Sequence, residues 1–483
     1  MTDLHESPTA HEHGRPPVAD WLTDFDHQHP DYAAAAPEIW EQVRTSGCPI
    51  AHSDRYGGTW LPTRHEDIAA ISKDPEHFSS QGVVVTEFRP DIPAPMGYAP
   101  PITSDPPFHQ IARSILLKFF SPKAMESWEP VARETCRSLI ADIKQRLAAG
   151  ESTVDAAQSY SQHIPVMVMA DMLDLPRADG DEFRRFIHNI MEQGAFGDEE
   201  IPYEETMDFY LDTKIAERRQ NLGDDLMSYL CQADIEGMPL LDEHVRGTIA
   251  LLIIAGIDTT WSAIGASMWH LAQHPDDRTR WIEDPDVQPF AIEEFLRFYA
   301  PVTMARLIAK DIEFEGCPMK AGEWSLLPFP AANRDPEVFE QADEFVMDRQ
   351  RNRHTAFGLG IHRCIGSNLA RMELRVALEE WMAAFPDFEL ADPDTVTWST
   401  GQVRGPRQLP LRFLRKVLDV KIKYDREACQ GHNRCYMLAP ELFDTDDEGY
   451  AILLVDGEVP PELEEKARLA ADNCPEFAIE IED

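Results

Sequence analysis

The feature that most constrains this chain is one cysteine framed by glycines, Phe357-Gly-Leu-Gly-Ile-His-Arg-Cys-Ile-Gly-Ser-Asn-Leu-Ala370. Gly358 and Gly360 let the backbone turn tightly and come close to a flat ligand. A helix opening at Cys364 would aim backbone N–H groups at its sulfur, lower the thiol pKa and favour the thiolate. The same residues also read as a Gly-rich turn around an ordinary buried cysteine. Cys48, Cys136, Cys231 and Cys317 stand alone and read as small buried hydrophobes.

The remainder of the sequence decides between these readings. Its 483 residues exceed a typical domain, so more than one packed unit is expected, and 43% apolar residues supply a core. Against 44 basic side chains stand 86 acidic ones, a formal net charge of −42. That field repels nucleic acid and anionic membranes and favours basic protein partners. The longest apolar run, Ile249–Ile257, falls well short of the ~18 residues that span a bilayer. The polar, His-rich start has neither the basic nor the apolar part of a signal peptide, so a cytoplasmic protein is expected.

Residues 1–18 read as a flexible tail. A segment with seven prolines, Phe78–Pro107, reads as a binding loop or lid. Helical patterns dominate from His109 to about Arg297, with breaks at Pro122 and between Gly194 and Gly197. Another helix is expected from about Cys364 to Phe385. From Leu418 onward the chain carries 18 acidic and 6 basic residues over 66 positions, net −12, against −30 for the other 417. Val420–Tyr424 and Glu476–Ile481 alternate as strands do. A small second domain, joined by almost no linker, is the expectation.

Leu241–Pro275 reads as one long helix with an acidic first turn, Asp242 and Glu243, ended by Pro275. Ala255-Gly-Ile-Asp-Thr-Thr260 lies in its middle. Asp258 among apolar residues is costly unless hydrated or paired, and Gly256 weakens the helix by about 1 kcal/mol relative to Ala. Two such penalties at one spot point to a site; an exposed Asp on an ordinary amphipathic helix is the plainer alternative.

The Cys364 frame resembles the haem-binding loop of the cytochrome P450 family through Phe357, Gly358, Gly360, His362, Cys364, Gly366 and Ala370. The resemblance extends over roughly residues 20–414. Glu294-Phe-Leu-Arg297 is similar to that family's buried Glu-x-x-Arg pair. Ala332-Asn-Arg-Asp-Pro336 resembles its characteristic turn, and Asp105-Pro-Pro-Phe-His109 with Arg113 the helix start that faces haem. The resemblance implies a mainly α fold with smaller β-sheets, heme b on Cys364, and His109, Arg113, Arg306 and His362 around the two propionates. Asp258 and Thr259 match the acid–alcohol pair that handles protons. Leu251, Ile254, Ala255 and Val302 would line a pocket for a small hydrophobic substrate, although all four could equally be core. Glu344 departs from the pattern, for a basic residue is expected there, reaching the Glu-x-x-Arg pair; another arginine such as Arg349 could close it.

The tail carries Cys429-Gln-Gly-His-Asn-Arg-Cys435 and Cys474-Pro475. It resembles small bacterial ferredoxins over about residues 419–483, with His432 in the slot of the second ligand and an Asp446–Tyr450 turn. Three-cysteine members of that group carry a [3Fe-4S] cluster, which implies Cys429, Cys435 and Cys474 as its ligands. His432 completing a [4Fe-4S] cluster, and zinc on Cys₃His, are the alternatives. The expected organisation is a tail (1–18), a cytochrome P450 haem domain (19–415) and a small α+β ferredoxin-like iron–sulfur domain (416–483).

Together these resemblances imply a haem-thiolate monooxygenase that uses O2 and takes electrons through its own iron–sulfur domain. No Gly-x-Gly-x-x-Gly nucleotide fingerprint appears, so a separate NAD(P)H-dependent ferredoxin reductase is the expected partner, with no nucleic-acid or membrane partner. A peroxide-driven peroxygenase and a non-enzymatic redox sensor are the rival readings.

Overall fold

The computed structural model describes residues 17–47, 49–86, 97–191, 201–235, 237–414, 421–455, 459–460 and 463–482. Most of the expected tail, Cys48, the 194–197 break and most of the expected linker, at 415–420, lie outside the described residues. The chain divides into two compact units, Met1–Ala141 with Thr153–Arg412, and Phe413–Asp483 with Asp142–Ser152.

The larger unit is built around one helix, Asp242–Gln273. It starts with Asp242 and Glu243 in its first turn, favourable at the positive end of the helix dipole. It stops before Pro275, which lacks an N–H and pushes His274 out of helical geometry (φ −119°, ψ 78°). Residues on almost every side of this helix are buried, Ile249, Leu252, Asp258, Ser262 and Met268 among them. Its most apolar window is therefore 61% covered by the fold itself. Pro122 starts the helix Pro122–Ala148, just after the short turn Leu117–Phe120.

Beside the helices lies a five-stranded sheet in the order Ala51–Ser53, Thr59–Leu61, Trp324–Pro328, Thr303–Ile308, Phe78–Ser79. Thr59–Leu61 and Trp324–Pro328 run parallel, and the other neighbours are antiparallel. Every residue of Trp324–Pro328 is buried, which suits a central strand covered on both faces. Arg306 sits on the neighbouring strand, opposite Ser325.

The proline-rich segment begins as the strand Phe78–Ser79 and continues as irregular chain where it is described. Part of it lies against the long helix, for a side chain at Gly247 would meet the Tyr98 carbonyl oxygen at 1.9 Å.

In the smaller unit Lys421–Tyr424 pairs antiparallel with Ile479–Glu482, in the register Lys421↔Glu482 to Tyr424↔Ile479. A second pair, Phe443–Thr445 with Ala451–Leu453, closes over the Asp446–Gly449 turn. Helices Arg434–Leu438 and Glu464–Asp472 complete it. Ile422, Leu442, Phe443, Ala467, Ala470 and Ile479 form its core together with Cys429 and Cys435.

Candidate functional site

The Cys364 loop is shaped by two left-handed glycines, Gly358 (φ 67°) and Gly360 (φ 68°). A side chain at Gly360 would meet the Ser72 carbonyl oxygen at 2.3 Å, so this position requires glycine. The Cys364 N–H donates to the Phe357 carbonyl at 2.7 Å and closes the loop. The following helix spans Ser367–Ala384 and not Cys364–Phe385, so the sulfur precedes its first turn by three residues. Desolvation by the surrounding protein pushes the Cys364 thiol up, while the Gly366 N–H and the charge of Arg113 pull it down.

The loop is braced from behind. Asn333, in the Ala332–Pro336 turn, accepts from the Thr355 N–H at 2.6 Å and donates to the Arg297 carbonyl at 3.1 Å. Arg297 and Glu294 are fully buried and joined by two hydrogen bonds of 2.8 Å. Arg349 closes the pair, its Nε lying 3.0 Å from the Glu294 carboxylate. Glu344 contributes only its backbone carbonyl, 2.7 Å from Arg297. A basic side chain is unnecessary there because Arg349 reaches in from five residues further along.

Cys364 opens onto a cavity of about 220 Å³. Phe357, Arg113, Arg306 and His362 line it, and the His109 ring packs edge-on against His362 with centroids 4.3 Å apart. Both ring nitrogens of His109 and of His362 are buried without a hydrogen-bond partner. Among the described residues, buried Arg306 hydrogen-bonds only to a backbone carbonyl, that of Ala305 at 2.7 Å. Burial and the neighbouring cations hold His362 down to about 2, and burial holds Arg306 down to about 10. Buried donors in this state call for an anion. A flat ligand with two carboxylates beside Cys364 would satisfy them, and haem has that form.

The cavity's other wall is the long helix, through Leu251, Leu252, Ala255, Gly256, Thr259, Thr260 and Ala263. At about 100° per residue these lie on one face, and Ile254 falls outside it. Ile254 is therefore not among the cavity residues, and Leu252 stands where it was expected. Val302 lines the cavity as expected. A side chain at Gly256 would meet the flexible end of Met169 at 2.4 Å, and the glycine itself forms part of the cavity wall. Thr259 Oγ1 donates to the Ala255 carbonyl at 2.7 Å. Asp258 is buried rather than exposed, and Arg407 donates to it at 2.7 Å. Arg407 also covers the Trp261 ring at 4.2 Å. The sequence reading missed Arg407, which follows Gly405-Pro406 on the strand Pro406–Gln408. Nothing local marks an exposed-looking arginine 149 residues away as the partner of Asp258.

In the smaller unit Cys429, Cys435 and Cys474 line one small hollow, with His432 and Glu476 at its edge. Burial pushes the Cys429 thiol up, but the Ala451 and Gly431 N–H groups and the charge of Arg426 outweigh it and favour thiolate. Three converging thiols, one tuned toward the anion, fit an iron–sulfur cluster. His432 Nε2 is engaged by Glu476 at 3.0 Å. Cys136, Cys231 and Cys317 are buried singly, as expected.

A cavity with one cysteine, buried donors suited to two carboxylates, and a threonine beside a buried acid on the long helix has the make-up of a haem-thiolate oxygenase. The larger unit matches the family model "Cytochrome P450" over residues 202–286 and 289–401. It is 32% identical over 371 residues to a probable cytochrome P450 127A1 of Sinorhizobium fredii, covering 75% of this chain and 86% of that one. It is also 32% identical over 358 residues to the mycinamicin IV hydroxylase/epoxidase of Micromonospora griseorubida, covering 73% and 89%. Among solved structures it superposes with a TM-score of 0.71 on CYP109E1 from Bacillus megaterium in complex with testosterone, at 28% identity, covering 80% of this chain and 100% of that one. The chain belongs to the cytochrome P450 family and is a cytochrome P450 monooxygenase. Its residues 422–481 match the model of a 4Fe-4S single cluster domain, so a ferredoxin-type domain is fused to it.

Proposed function

We propose that this protein inserts one oxygen atom of O2 into a hydrophobic organic substrate. Electrons come from an external NAD(P)H-dependent reductase and pass through the chain's own iron–sulfur domain. One observation carries the reading: Cys364 and Thr259 open onto the same cavity, with Asp258 buried beside Thr259 and paired to Arg407. Haem held by Cys364 supplies the one-electron chemistry that activates oxygen. His109, Arg113, Arg306 and His362 hold its two carboxylates.

Thr259 Oγ1 turns its hydrogen from the Ala255 carbonyl into the cavity and becomes a donor there. Asp258 swings away from Arg407, takes a proton from solvent and hands it over water to Thr259 Oγ1, whose own hydrogen passes on into the cavity. The walls that receive substrate, Leu251, Leu252, Ala255 and Val302, are apolar and exclude water from it. Terpenoid, steroid, aromatic and alkyl compounds all fit that description. We place the protein in the cytoplasm.

For the second cofactor we favour a [3Fe-4S] cluster on Cys429, Cys435 and Cys474. Three sulfurs converge, and the one imidazole in the expected fourth slot is engaged by Glu476.

Spectral titration of the haem with candidate substrates, followed by turnover with NAD(P)H and a ferredoxin reductase, tests the reading. Substrate-induced Soret shifts and product formation are expected. Spectral shifts without product would indicate a sensor, and faster turnover with peroxide than with NAD(P)H would indicate a peroxygenase. With saturating reductase, transfer within one chain gives a rate per haem independent of enzyme concentration. A rate per haem falling with dilution would mean that the cluster serves a neighbouring molecule.

A further inference from the structure

Where the long helix ends, three side chains that the oxygenase site does not use converge. His270 lies in its last turn, His274 is the residue that stops it, and Asp277 lies in the first turn of the next helix, Pro275–Glu283. Pro275 forces the chain to turn at His274, which folds Asp277 back onto His270. Asp277 Oδ2 lies 2.9 Å from His270 Nε2, and the Tyr299 hydroxyl lies 2.7 Å from His270 Nδ1. The His274 ring stacks on the His270 ring with centroids 4.2 Å apart. One nitrogen of each histidine and one Asp277 oxygen all lie within 4.8 Å of one another.

We infer that His270, His274 and Asp277 form a binding site for a divalent transition-metal ion of the zinc class, separate from the haem and the cluster. Zn–N and Zn–O bonds of about 2.0–2.2 Å in a tetrahedron place ligand atoms roughly 3.3–3.5 Å apart. Reaching this geometry takes a slight opening between His270 and Asp277 and a rotation of the His274 ring out of its stack, since near-parallel rings aim their nitrogens side by side. His274 is exposed and Asp277 half-buried, so both can adjust, while His270 is buried. The Phe345 ring, 4.0 Å away, also packs on His270 and fixes it.

His270 is already prepared as a ligand. Tyr299 occupies Nδ1, so Nε2 is the nitrogen that faces Asp277 and the ion. When the ion binds, Nε2 gives up any proton it shares with Asp277, and Nδ1–H donates to the Tyr299 oxygen. The site also lies at the carboxyl end of a 32-residue helix, where the dipole favours a cation. Imidazole nitrogens with one carboxylate suit zinc, nickel or copper better than magnesium or calcium. His274 and Tyr299 border a cleft of about 370 Å³, toward which a fourth position would open.

The test is zinc titration of the full-length, haem- and cluster-loaded protein by calorimetry, on the wild type, His274→Ala and Asp277→Asn. Other histidines, such as His5, His11 and His13, also attract zinc, so the informative quantity is the difference between proteins. One zinc equivalent present in the wild type and absent from both variants is the expected result. In Tyr299→Phe the same equivalent should bind about 10- to 100-fold more weakly, the usual effect of losing such a supporting hydrogen bond. An unchanged carbon monoxide spectrum shows that each variant keeps its haem site. Equal zinc stoichiometry and affinity in the wild type and either variant overturns the site. So does an anomalous zinc peak away from these three side chains in a zinc-soaked crystal.

Discussion

Arg407 donates a 2.7 Å hydrogen bond to the buried carboxylate of Asp258, joining residues 149 apart in sequence. The acid of the acid–alcohol pair is thereby fixed on the side of its helix away from the cavity, and Thr259 alone faces inward. Removing one member of a buried pair leaves a charge uncompensated, at a cost of about 3–5 kcal/mol. Arg407→Ala should therefore lower thermal stability, whereas Asp258→Asn should mainly slow turnover, by roughly 10- to 10⁴-fold. If Arg407 acts on turnover through Asp258, the double variant is no slower than Asp258→Asn. Additive losses in that cycle would give Arg407 a separate role.

Thr259, next after Asp258, carries its hydroxyl on the cavity wall. Thr259→Ala should bind haem and substrate nearly as well as the wild type, yet yield less product per NAD(P)H and more peroxide. Thr259→Ser, which keeps the hydroxyl, should restore most of the coupling. Unchanged product yield in the alanine variant would remove Thr259 from proton handling.

Cys364 is the only thiol on the haem cavity among the described residues. Reduced protein under carbon monoxide should show the red-shifted Soret band of a thiolate adduct. Cys364→His should abolish this band, and its persistence would refute the ligand assignment.

For the smaller unit, electron paramagnetic resonance of the oxidised protein decides the cluster type. A near-isotropic S = 1/2 signal is expected from a [3Fe-4S] cluster on Cys429, Cys435 and Cys474. A silent oxidised state with about four cluster irons per chain would point to a [4Fe-4S] cluster completed by His432 or water. Zinc in place of iron would remove the electron-transfer reading.

Glu373, on the helix after Cys364, is buried with one carboxylate oxygen lacking a partner, and burial pushes it up from 4.5 to about 8. The folded state then holds a proton that the unfolded state releases. Stability should fall as pH rises from about 4.5 toward 8, by up to about 1.4 kcal/mol per pH unit. Glu373→Gln should flatten this slope and raise the melting temperature at pH 8 more than at pH 5. Equal melting-temperature changes at both pH values would show that Glu373 is already ionised in the folded protein.

How much of this was legible in the residues varies with distance along the chain. The long helix ends where Pro275 requires, because a missing N–H and a steric clash act on adjacent residues. Gly358 and Gly360 likewise announce their turn, since positive φ costs other residues locally. The cysteine spacing of the tail points to its cofactor, for thiols with few other uses were grouped there. Tertiary structure alone decided the rest. Gly256 owes its role to its place on the cavity wall, and only helix rotation set Ile254 aside in favour of Leu252. The Cys364 sulfur lies on the cavity three residues ahead of its helix, because the loop closing onto the Phe357 carbonyl sets its place. Arg349 on Glu294 and Arg407 on Asp258 are ion pairs between distant segments. Many arginines in this sequence are chemically able to fill either role, and only the folded chain's geometry selects which one arrives.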